Sequence, residues 1–188
     1  MSVGATVVVA EYDPRWPERY QHERERILHA IGEYIVAIEH IGSTAVPGLG
    51  AKPIIDIMVA VRSLARDVEA CVEPLARLGY EYVPRPDFKD SVFFCHGVWG
   101  PSTRHLHLTE YGSAFWNEKL LFRDYLRRHA ETAAEYLALK RSLAARHAAN
   151  RTAYTDAKSS FILSIVNRAR ATAPVAIVSA STERPLHR

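Results

Sequence analysis

The run from residue 54 to residue 61, Ile-Ile-Asp-Ile-Met-Val-Ala-Val, constrains the fold of this chain most strongly. Successive side chains of a β-strand point to opposite faces of the sheet, and here both sets are almost entirely apolar. Such a run is typical of an inner strand with both faces of the sheet covered. It therefore predicts a central strand whose one charged residue is Asp56.

Asp56 has two interpretations. An unpaired charge on a doubly covered strand is costly, so we expect a cation, a hydrogen-bond partner or a cleft beside it. In a functional site, this carboxylate would bind a divalent metal ion. The alternative is a structural ion pair with a base such as Lys52 or Arg62.

A glycine-rich turn precedes this strand. Residues 34–41 have the alternation of a strand, and the stretch from 42 to 50 contains three glycines and a proline, which mostly excludes regular structure. The backbone N–H groups of a Gly42-Ser43 turn, or of a helix that begins just after it, can bind a phosphate. Taken alone, this dipeptide is more often a simple turn.

His105 and His107 alternate with leucines, so both imidazoles lie on one face of a predicted strand. Two histidines at this spacing can converge on one ligand. Neutral imidazole suits a transition metal and protonated imidazole suits a phosphate, whereas magnesium prefers oxygen ligands. The alternative is a polar strand face open to water.

Basic residues near these elements could neutralise a bound anion. Lys52 immediately precedes the Asp56 strand and Arg104 precedes His105, while Arg85 and Lys89 flank a loop. Lys158 lies in a helical stripe with aromatic residues and could reach the same cleft. Bases in surface loops are usually only solvated, so these are weaker signals.

The chain of 188 residues, with 48% hydrophobic and 24% charged residues, suits one domain with a full core. We predict short strands in the first part, a helical layer from residue 113 onward, one domain over residues 1–170 and a flexible tail over 171–188. No apolar run approaches the roughly 18 to 20 residues that span a bilayer, so we expect no membrane partner and a cytoplasmic location. P-loop, Rossmann and serine-hydrolase motifs are absent from the sequence.

Several segments together resemble the signature of the GrpB-like proteins. They are the run Glu39-His40-Ile41-Gly42-Ser43-Thr44-Ala45-Val46-Pro47-Gly48-Leu49, the run Lys52-Pro53-Ile54-Ile55-Asp56-Ile57, the opening Tyr12-Asp13-Pro14-Arg15-Trp16-Pro17, the strand Arg104-His105-Leu106-His107-Leu108, and a late pattern from Phe122 through Tyr136 and Lys140 to Tyr154 and Lys158. The resemblance covers about residues 7 to 170. It implies an α+β fold of the nucleotidyltransferase type, a small mixed sheet flanked by helices with a C-terminal helical layer.

In that superfamily a Gly-Ser turn holds nucleotide phosphates and strand carboxylates hold magnesium. The resemblance therefore implies that Gly42 and Ser43 contact phosphate and that Asp56 binds Mg²⁺, with Mn²⁺ or a histidine-bound transition metal as alternatives. A related domain is also fused to dephospho-CoA kinase in some bacteria. One departure stands out, because the second acid expected two residues after the first is Met58 here.

Two functions follow. The first is an enzyme that transfers a nucleotidyl or other phosphate-linked group, in which Asp56 binds a metal, His105 or His107 acts as ligand or general acid/base, and Lys52 and Arg104 neutralise charge. RNA is one conceivable acceptor. The second is a catalytically inactive module that binds a nucleotide or coenzyme A and aids a partner enzyme. The sequence does not determine an oligomeric state.

Overall fold

The structure, a computed structural model, describes residues 7–85, 89–97 and 103–172. Its strands are β1 (Ile35–Ile41), β2 (Ile55–Val61), β3 (Tyr80–Val83), β4 (Ser91–His96) and β5 (Arg104–Glu110). The α-helices in these ranges are α1 (Trp16–Ile31), α2 (Leu64–Arg77), α3 (Ala114–Arg128), α4 (Ala130–Arg146), α5 (Arg151–Asp156) and α6 (Ser159–Thr172). Single turns of 3-10 helix lie at Gly32–Tyr34 and Ser43–Ala45.

The five strands form one mixed sheet in the order β1-β2-β5-β4-β3. Strands β2 and β5 run parallel, and the other neighbouring pairs run antiparallel. The apolar strand β2 therefore lies inside the sheet, as its composition predicts. The expected small mixed sheet flanked by helices is confirmed.

One face of the sheet packs against α1 and α2. Its fully buried side chains include Ile57 and Leu106 from the inner strands, Ile27 from α1 and Leu75 from α2. Burial of such side chains contributes roughly 1.5–3 kcal/mol each, so this layer supplies much of the stability of the fold. Truncation of Leu106 to alanine should cost roughly 2–5 kcal/mol because a cavity would remain.

The other face of the sheet is covered by α3. Trp116 of α3 packs on Met58 and Ile41, and Met58 is completely buried. The outer side of α3 packs on α4 and α6 in a second apolar cluster that includes Leu126 and Ile165. This arrangement is the predicted C-terminal helical layer.

Some predicted boundaries were wrong. The three- and four-residue spacing of apolar residues predicts a helix from Glu18 to Ile31, but α1 already begins at Trp16. Pro17 is tolerated there because it lies in the first turn, where a missing N–H breaks no helical hydrogen bond. The helical pattern also predicts one helix from Tyr154 to Arg170, whereas the structure has two, α5 and α6. Helix α5 begins at Arg151 because the Asn150 side chain accepts a hydrogen bond from the Ala153 backbone N–H. A proline inside a helical pattern predicts a kink or a split at Pro74. Helix α2 is not split there but continues to Arg77 and packs Leu75 into the core.

Residues 171 and 172, predicted to begin a flexible tail, form the last turn of α6. The rest of that predicted tail, residues 173–188, lies outside the described residues. The first six residues also lie outside them.

Candidate active site

The parallel register of β2 and β5 brings the predicted polar residues together. Asp56 pairs with His105 and Met58 pairs with His107, so their side chains share the face of the sheet that α3 covers. The ring N–H at Nδ1 of His105 donates to Oδ1 of Asp56 over 3.0 Å. The partner of Asp56 is thus a histidine, and the ion pair considered for it with Arg62 is not formed.

The surroundings keep Asp56 ionised. Burial alone would raise the pKa of Asp56, but the hydrogen bond from His105 and the positive charge of Lys52 oppose it, and the pKa lies below its ordinary value. Burial lowers the pKa of His107 to about 3, against the opposing charge of Asp56. His107 is therefore a neutral ring at physiological pH, between Phe93 at 5.0 Å and Phe115 at 5.6 Å.

The turn after β1 lies directly against Asp56. Gly42 has φ 71° and ψ −172°, a backbone conformation that only glycine adopts without strain. A Cβ atom on Gly42 would lie 3.1 Å from Cβ of Asp56 and would overlap with its Oδ2. The glycine is required here because the backbone and the carboxylate approach so closely.

Buried hydrogen bonds brace this turn from below. The Thr44 hydroxyl lies 3.0 Å from Nε2 of His40 and donates to the Ile54 carbonyl over 3.2 Å. Burial lowers the pKa of His40 to about 4, so this histidine is a neutral structural partner. Burial raises the pKa of Tyr136 of α4, whose hydroxyl is close enough to Ser43 and Asp56 for both to influence that pKa.

Lysines surround Asp56. The Nζ atoms of Lys52 and Lys158 lie 5.3 Å and 4.3 Å from the centroid of the same Tyr154 ring. Burial, together with the charges of Lys52 and Lys119, lowers the pKa of Lys158 to about 8. Burial lowers the pKa of Lys119 as well, although the charge of Asp56 opposes that shift. Three lysines that repel one another around one carboxylate leave an excess of positive charge, which favours an anionic ligand.

Arg104 was predicted to neutralise charge in this site, and the structure does not bring it there. It precedes His105 on β5, so its side chain points to the opposite face, where its Nε lies 3.2 Å from Oε2 of Glu23. Glu23 is fully buried and also binds Arg26 and the Tyr80 hydroxyl. Arg104 therefore belongs to a structural network under α1.

Sequence reasoning missed two members of the site, Lys119 and Tyr136. Lys119 lies on α3 one turn after Phe115, and its Nζ is 4.9 Å from the centroid of that ring. A lysine among the residues that cover the sheet, three positions after Trp116, was the available signal. Tyr136 carried no signal, since an aromatic residue in a helix normally indicates core.

These residues do not fit a metal ion held by the protein. Within residues 7–85, 89–97 and 103–172, no group of three His, Cys, Asp or Glu side chains could hold one. Asp56 is paired with His105, the next position along its face is the buried Met58, and lysines occupy the surroundings. Magnesium and manganese have too few oxygen ligands here, and the described residues beside Asp56 offer a transition metal only the imidazole nitrogens of His105 and His107.

Comparison with solved structures identifies the class of fold. A structure of Cid1 poly(U) polymerase with Mg 3′-dATP bound matches with a TM-score of 0.52 at 16% identity, over 81% of this chain and 49% of that one. The crystal structure of the conserved protein GrpB from Enterococcus faecalis matches with a TM-score of 0.79 at 33% identity, over 86% of this chain and 96% of that one. The fold is thus nucleotidyltransferase-like.

Sequence comparison is more specific. The family model described as GrpB protein matches residues 6–168. A UPF0157 protein of Halalkalibacterium halodurans is 40% identical over 89% of this chain and 85% of its own length. A dephospho-CoA kinase of Mycolicibacterium paratuberculosis is 31% identical over 88% of this chain, which corresponds to 46% of that protein. The chain belongs to the GrpB family. In the part that the structure describes, no helix has the length and apolar character needed to cross a membrane.

Proposed function

We propose that this protein binds a nucleoside triphosphate, or a related activated molecule, at the turn of Gly42 and Ser43, and transfers its nucleotidyl or other phosphate-linked group to an acceptor. The observation that carries the proposal is the hydrogen bond between His105 and Asp56. It lies next to the Gly42 turn and close to the lysines described above. An ionised carboxylate bonded to one ring nitrogen of a histidine fixes its tautomer. The other nitrogen, Nε2, is then a proton acceptor.

The phosphates would lie on the backbone N–H groups of the turn and against the lysines Lys52, Lys119 and Lys158. Charge-assisted hydrogen bonds of this kind are stronger than neutral ones, and they strengthen further as negative charge develops on the leaving group. The lysines thus supply the neutralisation that carboxylate-bound metal ions would otherwise give.

The reaction would proceed by general-base catalysis. Nε2 of His105 accepts the proton of an acceptor hydroxyl, and the oxygen forms a bond to the α-phosphorus. The bond from that phosphorus to the bridging oxygen breaks, and pyrophosphate leaves with its charge neutralised by the lysines. Asp56 stabilises the imidazolium that forms, as a positioned carboxylate does in other acid–base pairs.

A transfer assay tests this proposal. Purified protein is incubated with each nucleoside triphosphate and with candidate acceptors, RNA and coenzyme A among them, and pyrophosphate release is measured. His105→Asn keeps a donor near the position of Nδ1 but removes the base at Nε2, so we expect turnover to fall by roughly 10²-fold or more while nucleotide affinity is retained. His22→Asn changes an exposed histidine of α1 and serves as the matched control.

Turnover that survives His105→Asn unchanged would refute the assigned base. If the wild type binds a nucleotide but shows no turnover with every nucleotide and acceptor tested, the proposed group transfer is refuted. That second result supports the other candidate function, a catalytically inactive module that binds a nucleotide or coenzyme A for a partner enzyme. The apolar, buried Met58 at the second-acid position and the similarity to a dephospho-CoA kinase favour this candidate.

A further inference from the structure

A cavity of about 430 Å³ lies beside the edge strand β1, and its lining includes neither Asp56 nor His105. It is bounded by α1, by α3 and by the loop that follows β1. Thr44 and Ala45, which belong to the 3-10 turn after Gly42, form part of its wall. A ligand in this cavity would contact the same turn as the proposed phosphate site, through Thr44 and Ala45.

The charged groups that line the cavity are three arginines and one carboxylate, namely Arg24, Arg123, Arg127 and Glu39. Arg123 is fully engaged, because it binds Glu39 over 2.6 Å, the His40 carbonyl over 2.9 Å and Asp124 over 2.7 Å. Its ion pair neutralises Glu39. The positive charge that remains at the lining therefore comes from Arg24 and Arg127.

Arg127 and Arg24 retain donors for a ligand. Nε of Arg127 donates to the Ala45 carbonyl over 2.9 Å, and only a long contact of 3.5 Å joins its Nη1 to Asp124. Burial and, to a smaller extent, the charge of Arg123 lower the pKa of Arg127, while Asp124 and Glu39 oppose that shift. Arg24 lies beside the Tyr20 hydroxyl and forms no ion pair with any residue in the described ranges.

The other walls are aromatic and apolar. Tyr12 and Tyr20 line the α1 side together with Pro17, and the loop contributes Ala45 and Pro47. The Tyr20 ring is fixed, because it stacks on His40 with 4.6 Å between the ring centroids. A volume of this size suits a small organic molecule better than an inorganic ion, and the guanidinium fork of arginine matches carboxylate and phosphate groups.

We propose that this cavity binds a second ligand, a small organic anion whose carboxylate or phosphate group is held by Arg24 and Arg127 and whose apolar body lies against Tyr12 and Tyr20. The site is distinct from the lysine cluster, since its lining includes none of Lys52, Lys119 and Lys158. Its ligand would rest on the loop that carries Gly42 and Ser43.

Side-chain NMR of the full chain tests the proposal. The Nε–Hε signals of ¹⁵N-labelled arginine are followed while benzoate, phenyl phosphate or inorganic phosphate is added. We expect saturable shifts at Arg24 and Arg127 with benzoate, phenyl phosphate or both, and the responding probe distinguishes a carboxylate ligand from a phosphate ligand. Inorganic phosphate should bind more weakly than the better organic probe because it lacks an apolar body.

Matched variants decide the location. Arg24→Gln should weaken binding of the better probe by roughly tenfold or more, because a charge-assisted hydrogen bond is lost. Arg128→Gln, on the exposed side of α3, should change the affinity by less than about twofold. The double variant Lys52→Gln/Lys158→Gln should leave probe binding intact, which separates this cavity from the lysine cluster.

Three results would overturn the proposal. They are the absence of shifts up to about 10 mM of any probe, equal effects of Arg24→Gln and Arg128→Gln, and loss of probe binding in the lysine double variant. Thermal melting of each variant verifies that the fold is retained.

Discussion

Replacement of Gly42 by alanine should destabilise the protein in a way that reports directly on Asp56. The added methyl group faces two penalties. The backbone conformation at Gly42, with φ 71° and ψ −172°, is one that residues with a Cβ atom adopt only at a cost of about 1–3 kcal/mol. The Cβ atom would also overlap with Oδ2 of Asp56 and force it to move, and overpacking of this kind costs about 1–3 kcal/mol.

Gly48 provides a matched control. It also has a positive φ, 76°, but a Cβ atom there would meet no other atom within 4 Å. Gly48→Ala should therefore cost only the backbone penalty, about 1–2 kcal/mol. Gly42→Ala should cost about 2 kcal/mol more than Gly48→Ala, since the overlap with Asp56 is added. For a chain of this size that difference lowers the melting temperature by roughly a further 4–8 °C.

The assay is urea denaturation of both variants, repeated in an Asp56→Ala background. Because Asp56→Ala removes Oδ2, most of the excess cost of Gly42→Ala should disappear there, with a coupling free energy of about 1–2 kcal/mol. The cost of Gly48→Ala should not change. Equal losses for the two glycine variants, or a coupling free energy near zero, would refute the argument that Asp56 is what requires glycine at position 42.

Three further predictions concern the lysines, the arginine that lies elsewhere and the missing acid. The affinity for a nucleoside triphosphate should fall as the pH rises through about 8, because the lowered pKa of Lys158 means that this lysine loses its proton there. Titration calorimetry at several pH values should show this dependence flattened in Lys158→Gln. An affinity that rises with pH would contradict the assignment. Arg104→Gln should lower the free energy of unfolding by roughly 3 kcal/mol, since it leaves part of the buried charge of Glu23 uncompensated. It should not change nucleotide affinity. Weaker nucleotide binding by the folded variant would show that Arg104 does contribute to the nucleotide site. Met58→Asp should destabilise the fold by about several kcal/mol because it buries a carboxylate against Trp116. It should not create Mg²⁺-dependent turnover. Such turnover would show that the protein lacks only the second acid for a working metal site.

Much of the fold was predictable from local patterns. The doubly apolar run of β2 required an inner strand, and the alternation of histidine and leucine placed both imidazoles of β5 on one face. The residue patterns of the strands could not predict which strands are neighbours in the sheet. The parallel pairing of β2 with β5, which sets His105 beside Asp56, connects residues 49 positions apart along the chain.

The faces of strands also explain the one site residue that was misplaced. Arg104 and His105 are adjacent in sequence and therefore lie on opposite faces of β5, so proximity along the chain was misleading. Lys119 was missed for the opposite reason. It is distant from Asp56 in sequence, and only the packing of α3 across the sheet brings it near.

The close contacts between site residues could not be predicted from the sequence either. A Gly-Ser dipeptide predicts a turn, but only the three-dimensional structure reveals that the backbone of Gly42 lies against the carboxylate of Asp56. Similarly, the sequence indicates that Lys158 could reach the cleft, but only the structure shows that it shares the Tyr154 ring with Lys52. These contacts depend on packing between α5, α6 and the loop before β2.

The most direct test of the central claim is titration calorimetry of each nucleoside triphosphate in the presence of EDTA, repeated with Mg²⁺ and with Mn²⁺. We predict that at least one nucleotide binds in EDTA and that Lys52→Gln/Lys158→Gln weakens this binding roughly 30-fold or more, because two charge-assisted contacts are lost. Lys89→Gln, a change of an exposed lysine, should have little effect. Failure of every nucleotide to bind, or binding that requires the metal and is unaffected by loss of the two lysines, would contradict it.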